Sequence, residues 1–171
     1  MRILSYILLL VLFLSTAVQC NSDNETETMD RHAGRQIEPT HSLDILDEQR
    51  NRVVARVRVA LAQTEQERNT GLMDVRQMPF DTGMYFLFDD EAPRSFWMVN
   101  TPLPLDILFI DRNHRIVRIH TRTVPFSERP IRSEVPARYT LEVNAGFVSE
   151  HDIREGMYVR LGERLGERLH Q

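Results

Sequence analysis

The chain has 171 residues, a formal net charge of -4 and 42% hydrophobic residues, which suits one globular domain with terminal extensions. The mild negative charge argues against a nucleic-acid partner, because nucleic-acid-binding domains present a basic surface. All 21 basic residues are arginines, so lysine Schiff-base chemistry and the lysine of a phosphate-binding P-loop are excluded.

Residues 1–20 have the pattern of a secretory signal peptide. Arg2 precedes an apolar run, Ile3 to Val18, that is shorter than the roughly 20 residues of a membrane span. Cys20, the only cysteine, stands where a bacterial lipoprotein carries its lipid, so we expect lipidation there and anchoring to the membrane. Two alternatives stay open, namely ordinary cleavage after Ser15-Thr16-Ala17 and an uncleaved anchor. All three place the protein in the periplasm or cell envelope.

Residues 21–50 are polar and acidic without sustained periodicity, so a disordered linker is expected there. A β-domain is expected over residues 51–162, followed by a frayed tail over residues 163–171. With a single cysteine, no disulfide can form within the chain. The domain must therefore be stabilised by its apolar core.

The first predicted elements of the domain are a strand and a short helix. Residues 52–61 alternate valine with arginine, which is typical of a strand with one solvent face. The run Thr64-Glu65-Gln66-Glu67 predicts a capping box and a helix that ends near Gly71.

The later apolar runs are short and separated by turn residues. Strands are predicted at residues 84–88, 96–98, 107–110, 116–120, 137–143 and 157–161, with turns at 89–93 and 111–115 and a surface excursion at 121–136. Asn144 is expected to cap a brief helix through Ser149. The pattern predicts a mainly β fold: a single-domain antiparallel β-sandwich or partly open, jelly-roll-like barrel with one or two short helices.

Aromatic and polar residues meet at a predicted corner of the chain. Asn100 and Thr101 follow the apolar run that holds Phe96 and Trp97. We interpret the pair as an Asx or Ser/Thr turn, with a polar pair facing an aromatic groove as the alternative. Trp97 is interpreted as a core residue. Its alternative is an exposed aromatic surface that binds a sugar or peptide.

Asp106 begins a strongly apolar strand, where a carboxylate is costly unless it has a partner. We expect either a backbone turn acceptor or a buried salt bridge, with Arg68 and Arg138 as the named partners. The functional alternative pairs Asp106 with Glu142 as the general acid and base of a hydrolase.

The histidines show no zinc spacing, so neither a metal nor a cofactor is expected. His120 is interpreted as a packing or surface residue. The candidate ligand-binding or structural polar cluster therefore consists of Arg68, Phe96, Trp97, Asn100, Thr101, Asp106, His120, Arg138, Glu142 and Asn144.

Four motifs carry a resemblance to a known family: Gly71-Leu72-Met73, the run Gly83 to Phe88, the run Phe96 to Ile107, and Tyr139 to Gly146. Their order and spacing across residues 52–161 resemble the domain of unknown function 192 family. The resemblance implies a compact, mostly β domain that is often exported in bacteria and has no established reaction. The chain departs from it at Val99, where relatives often carry lysine, and over 124–136, where many carry cysteines or an aromatic-serine pair.

These observations predict a non-catalytic cell-envelope domain that binds, or is accessory to, a small molecule, glycan or peptide. The alternatives are the envelope hydrolase described above and a structural interaction protein. The identity of the ligand and the oligomeric state stay open at this stage.

Overall fold

A computed structural model of the chain describes residues 34–166. The predicted signal peptide, the Cys20 lipidation site, the first part of the predicted linker and the last five residues lie outside this range. Within residues 34–166, no helix is both long and apolar enough to cross a bilayer.

The described residues form one curled, seven-stranded sheet. Its strand order is β5-β4-β6-β3-β2-β1-β7, and a bridge between Arg115 and Tyr158 joins the two edges. The sheet therefore approaches a half-barrel, which confirms the mainly β, partly open architecture with two short helices. The elements are β1 (His41–Leu46), β2 (Val53–Ala62), α1 (Glu65–Thr70), β3 (Thr82–Phe96), β4 (Leu105–Ile110), β5 (Ile116–His120), β6 (Ile131–Asn144), α2 (Phe147–Glu150) and β7 (Tyr158–Arg164).

One pair of neighbouring strands departs from the antiparallel pattern. β2 and β3 run parallel, with Ala60 opposite Met84. A parallel pair needs a crossover connection, and residues 63–81, which contain α1, supply it. This crossover places α1 and the loop after it over one face of the sheet, where the candidate site is found.

The crossover helix forms as its sequence predicts. The Thr64 hydroxyl accepts a hydrogen bond from the Glu67 backbone N–H at 3.2 Å, and the Glu67 carboxylate accepts one from the Thr64 N–H at 2.8 Å. The helix ends at Gly71, whose φ of 46° lies in the left-handed region that glycine adopts without strain.

The predicted disordered linker is wrong for its last part, because residues 41–46 form β1. This strand lies between β2 and β7 in the sheet, and Leu43 and Ile45 are completely buried. Asp44 accepts hydrogen bonds from Arg56 of β2 at 2.7 Å and Arg160 of β7 at 2.8 Å. The apolar alternation is too short to stand out among polar residues, and its burial depends on partners that lie far away in sequence.

The turn predicted at residues 89–93 is also wrong, because β3 continues through it as one strand of 15 residues. Its pairing with β6 shifts register between Leu87 and Ala92 and again between Pro93 and Ser95. Such irregularities bend a strand without ending it. The proline and acidic residues that suggested a turn mark these bends instead.

Two further strands are longer than predicted. β6 begins at Ile131, inside the predicted surface excursion, and β7 extends to Arg164, inside the predicted frayed tail. In β7 the extension is held by β1, where Arg164 is opposite His41. Both extensions depend on neighbouring strands more than on local sequence.

The sheet separates two apolar clusters by the alternation of side chains along each strand. One cluster receives residues from all seven strands and fills the inside of the curl; its fully buried members include Leu43, Val57, Leu108, Ile116 and Leu141. The other cluster lies on the opposite face and includes Met84, Phe86, Ile107 and Phe109 together with Leu72, Val75 and Met98 from the covering loops. The candidate site opens into this second cluster.

Candidate functional site

A cavity of about 320 Å³ lies between α1, the loop that follows it, β3 and the turn at Trp97. This volume falls in the range of small-molecule sites. Four aromatic side chains line it, namely Phe86, Phe88, Phe96 and Trp97, and its charged lining residues are Arg68 and Glu142. We call this cavity the aromatic pocket.

Glu142 is placed in the aromatic pocket by its central position in the sheet. β6 lies between β3 and β4, so Glu142 has Met84 on one side and Ile107 on the other. Only 4% of the residue is exposed. Within residues 34–166 its carboxyl has no hydrogen-bond or ion-pair partner, and burial raises its pKa to about 8. At neutral pH this side chain is therefore mostly a neutral carboxylic acid that faces a cavity.

Thr140 lies two residues before Glu142 and on the same face of the sheet. It is completely buried in register between Phe86 and Phe109. Among the described residues its hydroxyl oxygen has no hydrogen-bond partner. The sequence does not single out Thr140, because a threonine in a strand is ordinary, and only the sheet register shows that it lies between two aromatic side chains.

The aromatic wall is built from edge-to-face contacts. The ring centroids of Phe86 and Phe96 are 5.1 Å apart and those of Phe88 and Phe96 are 6.4 Å apart. Phe109 packs on Phe96 from the other side at 5.6 Å. These perpendicular arrangements are favourable for aromatic pairs and hold the wall in one conformation.

The prediction that Trp97 is a core residue is wrong, since 59% of it is exposed and it lines the aromatic pocket. The strand ends at Phe96, which packs inward, and Met98 is buried with its sulfur 3.2 Å from the Thr123 hydroxyl. Because inward and outward positions alternate, Trp97 is left at the pocket rim. The rim position agrees with the alternative interpretation of an exposed aromatic surface.

Arg68 is fixed at the α1 end of the aromatic pocket. Its guanidinium donates to the backbone carbonyl of Leu87 at 2.9 Å and to that of Gln63. The same group lies 5.2 Å from the centroid of the Phe88 ring. Arg68 therefore does not pair with Asp106, and the pocket wall keeps a positive charge near α1.

Asp106 is completely buried and is satisfied by three backbone N–H groups. One carboxylate oxygen accepts from Arg122 at 2.8 Å, and the other accepts from Gly146 at 3.0 Å and Val148 at 2.9 Å. The predicted salt bridge to Arg68 or Arg138 is wrong, and the backbone turn acceptor is what forms. Asp106 thereby joins β4 to the loop before β6 and to the first turn of α2.

The predicted acid and base pair is also wrong. Asp106 is opposite Val143, whereas Glu142 is opposite Ile107. Neighbouring positions in a strand point to opposite faces, so the two carboxyls lie on different sides of the sheet. They cannot act together on one substrate.

The corner at Asn100 and Thr101 serves mainly the backbone. Asn100 is exposed with a φ of 53°, and its carbonyl accepts from the Asp74 N–H at 2.8 Å. The buried Thr101 hydroxyl donates to the Val99 carbonyl at 3.1 Å, as the turn interpretation predicts. Thr101 also lines the aromatic pocket, whereas Asn100 does not.

The other candidate residues lie away from the aromatic pocket. Arg138 donates weakly to the Phe88 carbonyl at 3.4 Å, and His120 lies 2.8 Å from the Arg132 carbonyl. Asn144 does not cap α2, because its side-chain amide donates to Met78 and Pro79 at 3.1 and 3.0 Å. Of the ten predicted residues, the pocket thus brings together Arg68, Phe96, Trp97, Thr101 and Glu142.

The chemistry of the aromatic pocket follows from these contacts. It offers π faces, one buried carboxyl group and one cation at its α1 end. No three metal-ligating side chains come together within residues 34–166. The pocket can therefore bind an apolar or ring-shaped body and a polar group that reaches Glu142.

Comparison with known proteins places this fold among uncharacterised relatives. A family profile described as "Uncharacterized ACR" matches residues 46–161, more than half of the chain. The chain is similar, at 37% identity and a TM-score of 0.69, to a crystal structure from Sinorhizobium meliloti described as a candidate transcription regulator; the match covers 75% of this chain and 98% of that one. A protein of unknown function from Novosphingobium aromaticivorans is 28% identical, with a TM-score of 0.66 and 73% and 91% coverage. No curated protein matches the chain.

Proposed function

The chain belongs to the DUF192 family, and from its geometry we propose that it is a non-catalytic binding domain for a small molecule. The observation that carries this proposal is the buried carboxyl of Glu142, which faces the aromatic pocket without a partner among the described residues. A ligand in the pocket is the group that would satisfy it.

The energetics support a binding role for the pocket. A buried polar group without a hydrogen bond costs about 1–3 kcal/mol, and burial of a carboxylate costs more. Leucine or methionine at position 142 would avoid this cost in the apolar cluster around it. A polar group that orients a ligand within an apolar pocket is the usual organisation of a small-molecule site.

The chemistry of the lining favours binding over turnover. Glu142 is the one carboxyl among the residues that line the pocket, and its buried neighbour on β4, Asp106, is used by three backbone N–H groups on the opposite face. General acid–base catalysis commonly needs a second polar group that acts on the same reacting centre. Arg68, the other charged lining residue, is held by backbone carbonyls at the α1 end.

We propose that this binding takes place in the cell envelope. The short apolar run behind Arg2 and the single cysteine after it support export, with Cys20 as the lipid attachment site. We propose no nucleic-acid partner, since the net charge is -4, although one relative is described as a candidate transcription regulator. Mass spectrometry of the mature N-terminus in a bacterial host tests the export proposal; a lipidated Cys20 is expected, and an intact leader in the cytosolic fraction would contradict it.

A thermal-shift screen of small metabolites, sugars and peptides tests the binding proposal. At a concentration about 100 times Kd, a ligand specific for the folded state stabilises the protein by about 2.7 kcal/mol. Trp97→Ala should reduce the shift, since Trp97 lines the pocket. Phe126→Ala is the matched control, because Phe126 is an exposed aromatic residue outside the pocket lining. A screen without stabilising compounds, or a shift that survives Trp97→Ala unchanged, argues against the proposal.

A second candidate function, an interaction protein, is favoured by exposed apolar residues beside the pocket. Val124 and Phe126 are exposed in the loop before β6. This loop is joined to the Trp97 turn by hydrogen bonds from Met98 N–H to the Ser127 carbonyl at 2.9 Å and from Phe126 N–H to the Thr101 carbonyl at 3.2 Å. Cross-linking to an envelope protein that is lost in Val124→Ser/Phe126→Ser, but retained in Glu142→Gln, would support this role.

A further inference from the structure

Resting on the proposed binding function, we infer that the ligand of the aromatic pocket is an organic cation whose ammonium group pairs with Glu142 and lies against the aromatic rings. The ligand class follows from three features of the pocket within residues 34–166: a buried carboxyl without a charged partner, aromatic rings without a cation, and an arginine that is anchored away from the carboxyl.

The carboxyl group of Glu142 lies at the buried, inner end of the pocket. The side chains beside Glu142 in the sheet are Met84 of β3, Ile107 of β4 and Thr140 of its own strand, and none of them is charged. The charged group that faces the pocket from another element is Arg68 of α1. Because a buried carboxylate is stable only beside positive charge or hydrogen-bond donors, a cationic ligand would supply the partner that residues 34–166 do not provide.

Arg68 does not supply that positive charge. Its guanidinium is tied to the Leu87 carbonyl, three residues along β3 from Met84, the neighbour of Glu142. Three residues of strand span roughly 10 Å, so the anchoring point of Arg68 is well separated from the row of Glu142. When Glu142 is ionised, the pocket is thus negative at its inner end and positive near α1. A compact amine whose distal part is neutral or acidic fits this distribution of charge.

The aromatic wall favours the same class of ligand. Cations are attracted to the faces of aromatic rings, and cages of such rings recognise quaternary ammonium groups. Within residues 34–166, Phe88 already receives two guanidinium groups, from Arg94 at 4.0 Å and Arg68 at 5.2 Å. The described cation–π contacts leave Phe86, Phe96 and Trp97 without a cation. These three rings line the pocket, where a cationic group of a ligand can contact them.

Proton linkage gives the inference a distinctive signature. Burial raises the pKa of Glu142 to about 8, so the free protein holds a proton there at neutral pH. A cation binds the ionised form and must release that proton. Its affinity should therefore increase as the pH rises, whereas a neutral ligand that accepts a hydrogen bond from the protonated acid should bind more tightly at lower pH.

The test uses three aromatic probes of similar size: benzyltrimethylammonium, benzyl alcohol and phenylacetate. Benzyltrimethylammonium carries the same charge at every pH, so any change in its affinity comes from the protein. Amide and side-chain chemical shifts of the pocket residues are followed during titration at about pH 6.5 and pH 9. The ionised fraction of an acid with a pKa of about 8 changes about 30-fold between these values, so about 30-fold tighter binding of the cation is expected.

Glu142→Gln is the decisive variant, because it keeps the shape and removes the titration. The variant should bind the cation more weakly and with an affinity that does not depend on pH, while benzyl alcohol binds as before. The thermal unfolding midpoint of the variant reports whether the fold is retained. Calorimetry of the unaltered protein in buffers of different ionisation enthalpy independently measures the number of protons released on binding. Release of close to one proton per bound cation at about pH 7 is expected.

The outcomes separate the two proposals. If the neutral or anionic probe binds in the pocket more tightly than the cation, or if the affinity of the cation is independent of pH, the cation inference is overturned and small-molecule binding stands. If no probe and no screened compound shifts the pocket resonances, both proposals fail.

Discussion

Two buried carboxyl groups, Asp106 and Glu142, lie on adjacent strands and yet have opposite surroundings. Asp106 points to one face of the sheet and accepts three backbone hydrogen bonds, whereas Glu142 points to the other face and has no partner among the described residues. Burial is nearly equal, at 0% and 4% exposure. The comparison shows that burial alone does not distinguish a structural carboxylate from a candidate ligand-binding one. The two are distinguished by whether hydrogen-bond donors of the protein surround the carboxyl group.

The largest effect is expected from the structural member of this pair. Asp106→Ala leaves the buried N–H group of Val148 and the partly buried N–H groups of Arg122 and Gly146 without an acceptor. We expect a loss of about 3 kcal/mol or more in the free energy of unfolding, since each unsatisfied buried donor costs about 1–3 kcal/mol. Urea denaturation measures this, and a loss below about 1 kcal/mol would show that Asp106 does not hold these loops.

Glu142→Gln should have the opposite sign and depend on pH. The folded-state pKa of Glu142 is about 8 against a usual value of 4.5, so the folded protein binds more protons than the unfolded chain between these pH values. Stability contributed by the protonated side chain is complete below about pH 4.5 and is lost as the pH rises towards 8. Glutamine avoids that loss, which gives a gain of about 3 kcal/mol at pH 7 and none at pH 4.

Urea denaturation of both proteins at several pH values checks this prediction. Glu128→Gln, which removes one carboxyl from an exposed loop position, is the matched control. A constant difference between Glu142→Gln and the unaltered protein across this pH range would mean that Glu142 titrates normally, and the contrast with Asp106 would disappear.

A smaller gain is expected from Thr140→Val, on the same face as Glu142. The variant keeps the shape of the side chain and removes a buried hydroxyl that has no partner within the described residues. We expect a gain of about 1 kcal/mol in the free energy of unfolding. Thr140→Ser, which keeps the hydroxyl and loses a buried methyl group, should instead lose about 1 kcal/mol. A loss in Thr140→Val would reveal a hydrogen bond that the hydroxyl makes in solution.

The smallest effect on stability is expected from Trp97→Ala, because most of Trp97 is exposed. The free energy of unfolding should change by less than about 0.5 kcal/mol, as for other surface positions. Binding of aromatic probes should nevertheless weaken, since Trp97 lines the aromatic pocket. Thermal denaturation and a probe titration on the same sample separate the two effects. A large loss of stability would assign Trp97 to the core after all.

Short-range sequence patterns are sufficient to predict part of this architecture. The capping box at Thr64 and Glu67, the alternation of β2 and the turn chemistry of Thr101 each depend on residues within a few positions of one another. The apolar run around Asp106 predicts a carboxylate that needs a partner, and a backbone turn acceptor is one of the two partners that it allows. The wrong choice among partners arose because Gly146 and Val148 become neighbours only through the pairing of β4 with β6.

The aromatic pocket could not be predicted from the sequence, because it depends on contacts between residues far apart in the chain. Glu142 alternates with Leu141 and Val143, a pattern that predicts a solvent-facing or groove-facing residue without telling which of the two applies. It is buried because α1 and its loop cover that face of the sheet, and the parallel pairing of β2 with β3 that brings them there leaves no local mark. The sequence does not predict β1 for a related reason, since its short apolar pattern forms a strand only between β2 and β7.

The position of β1 has a consequence for the order in which the molecule is assembled. β7, the last of the described strands, pairs along its length with β1, the first of them, and it forms a bridge to Arg115 directly before β5. The sheet therefore cannot be completed during synthesis until the residues of β7 have emerged from the ribosome. Until then β1 presents an unpaired edge, and a shortened version that begins at residue 50 would leave β7 without its neighbour. Removal of either end should accordingly damage the other.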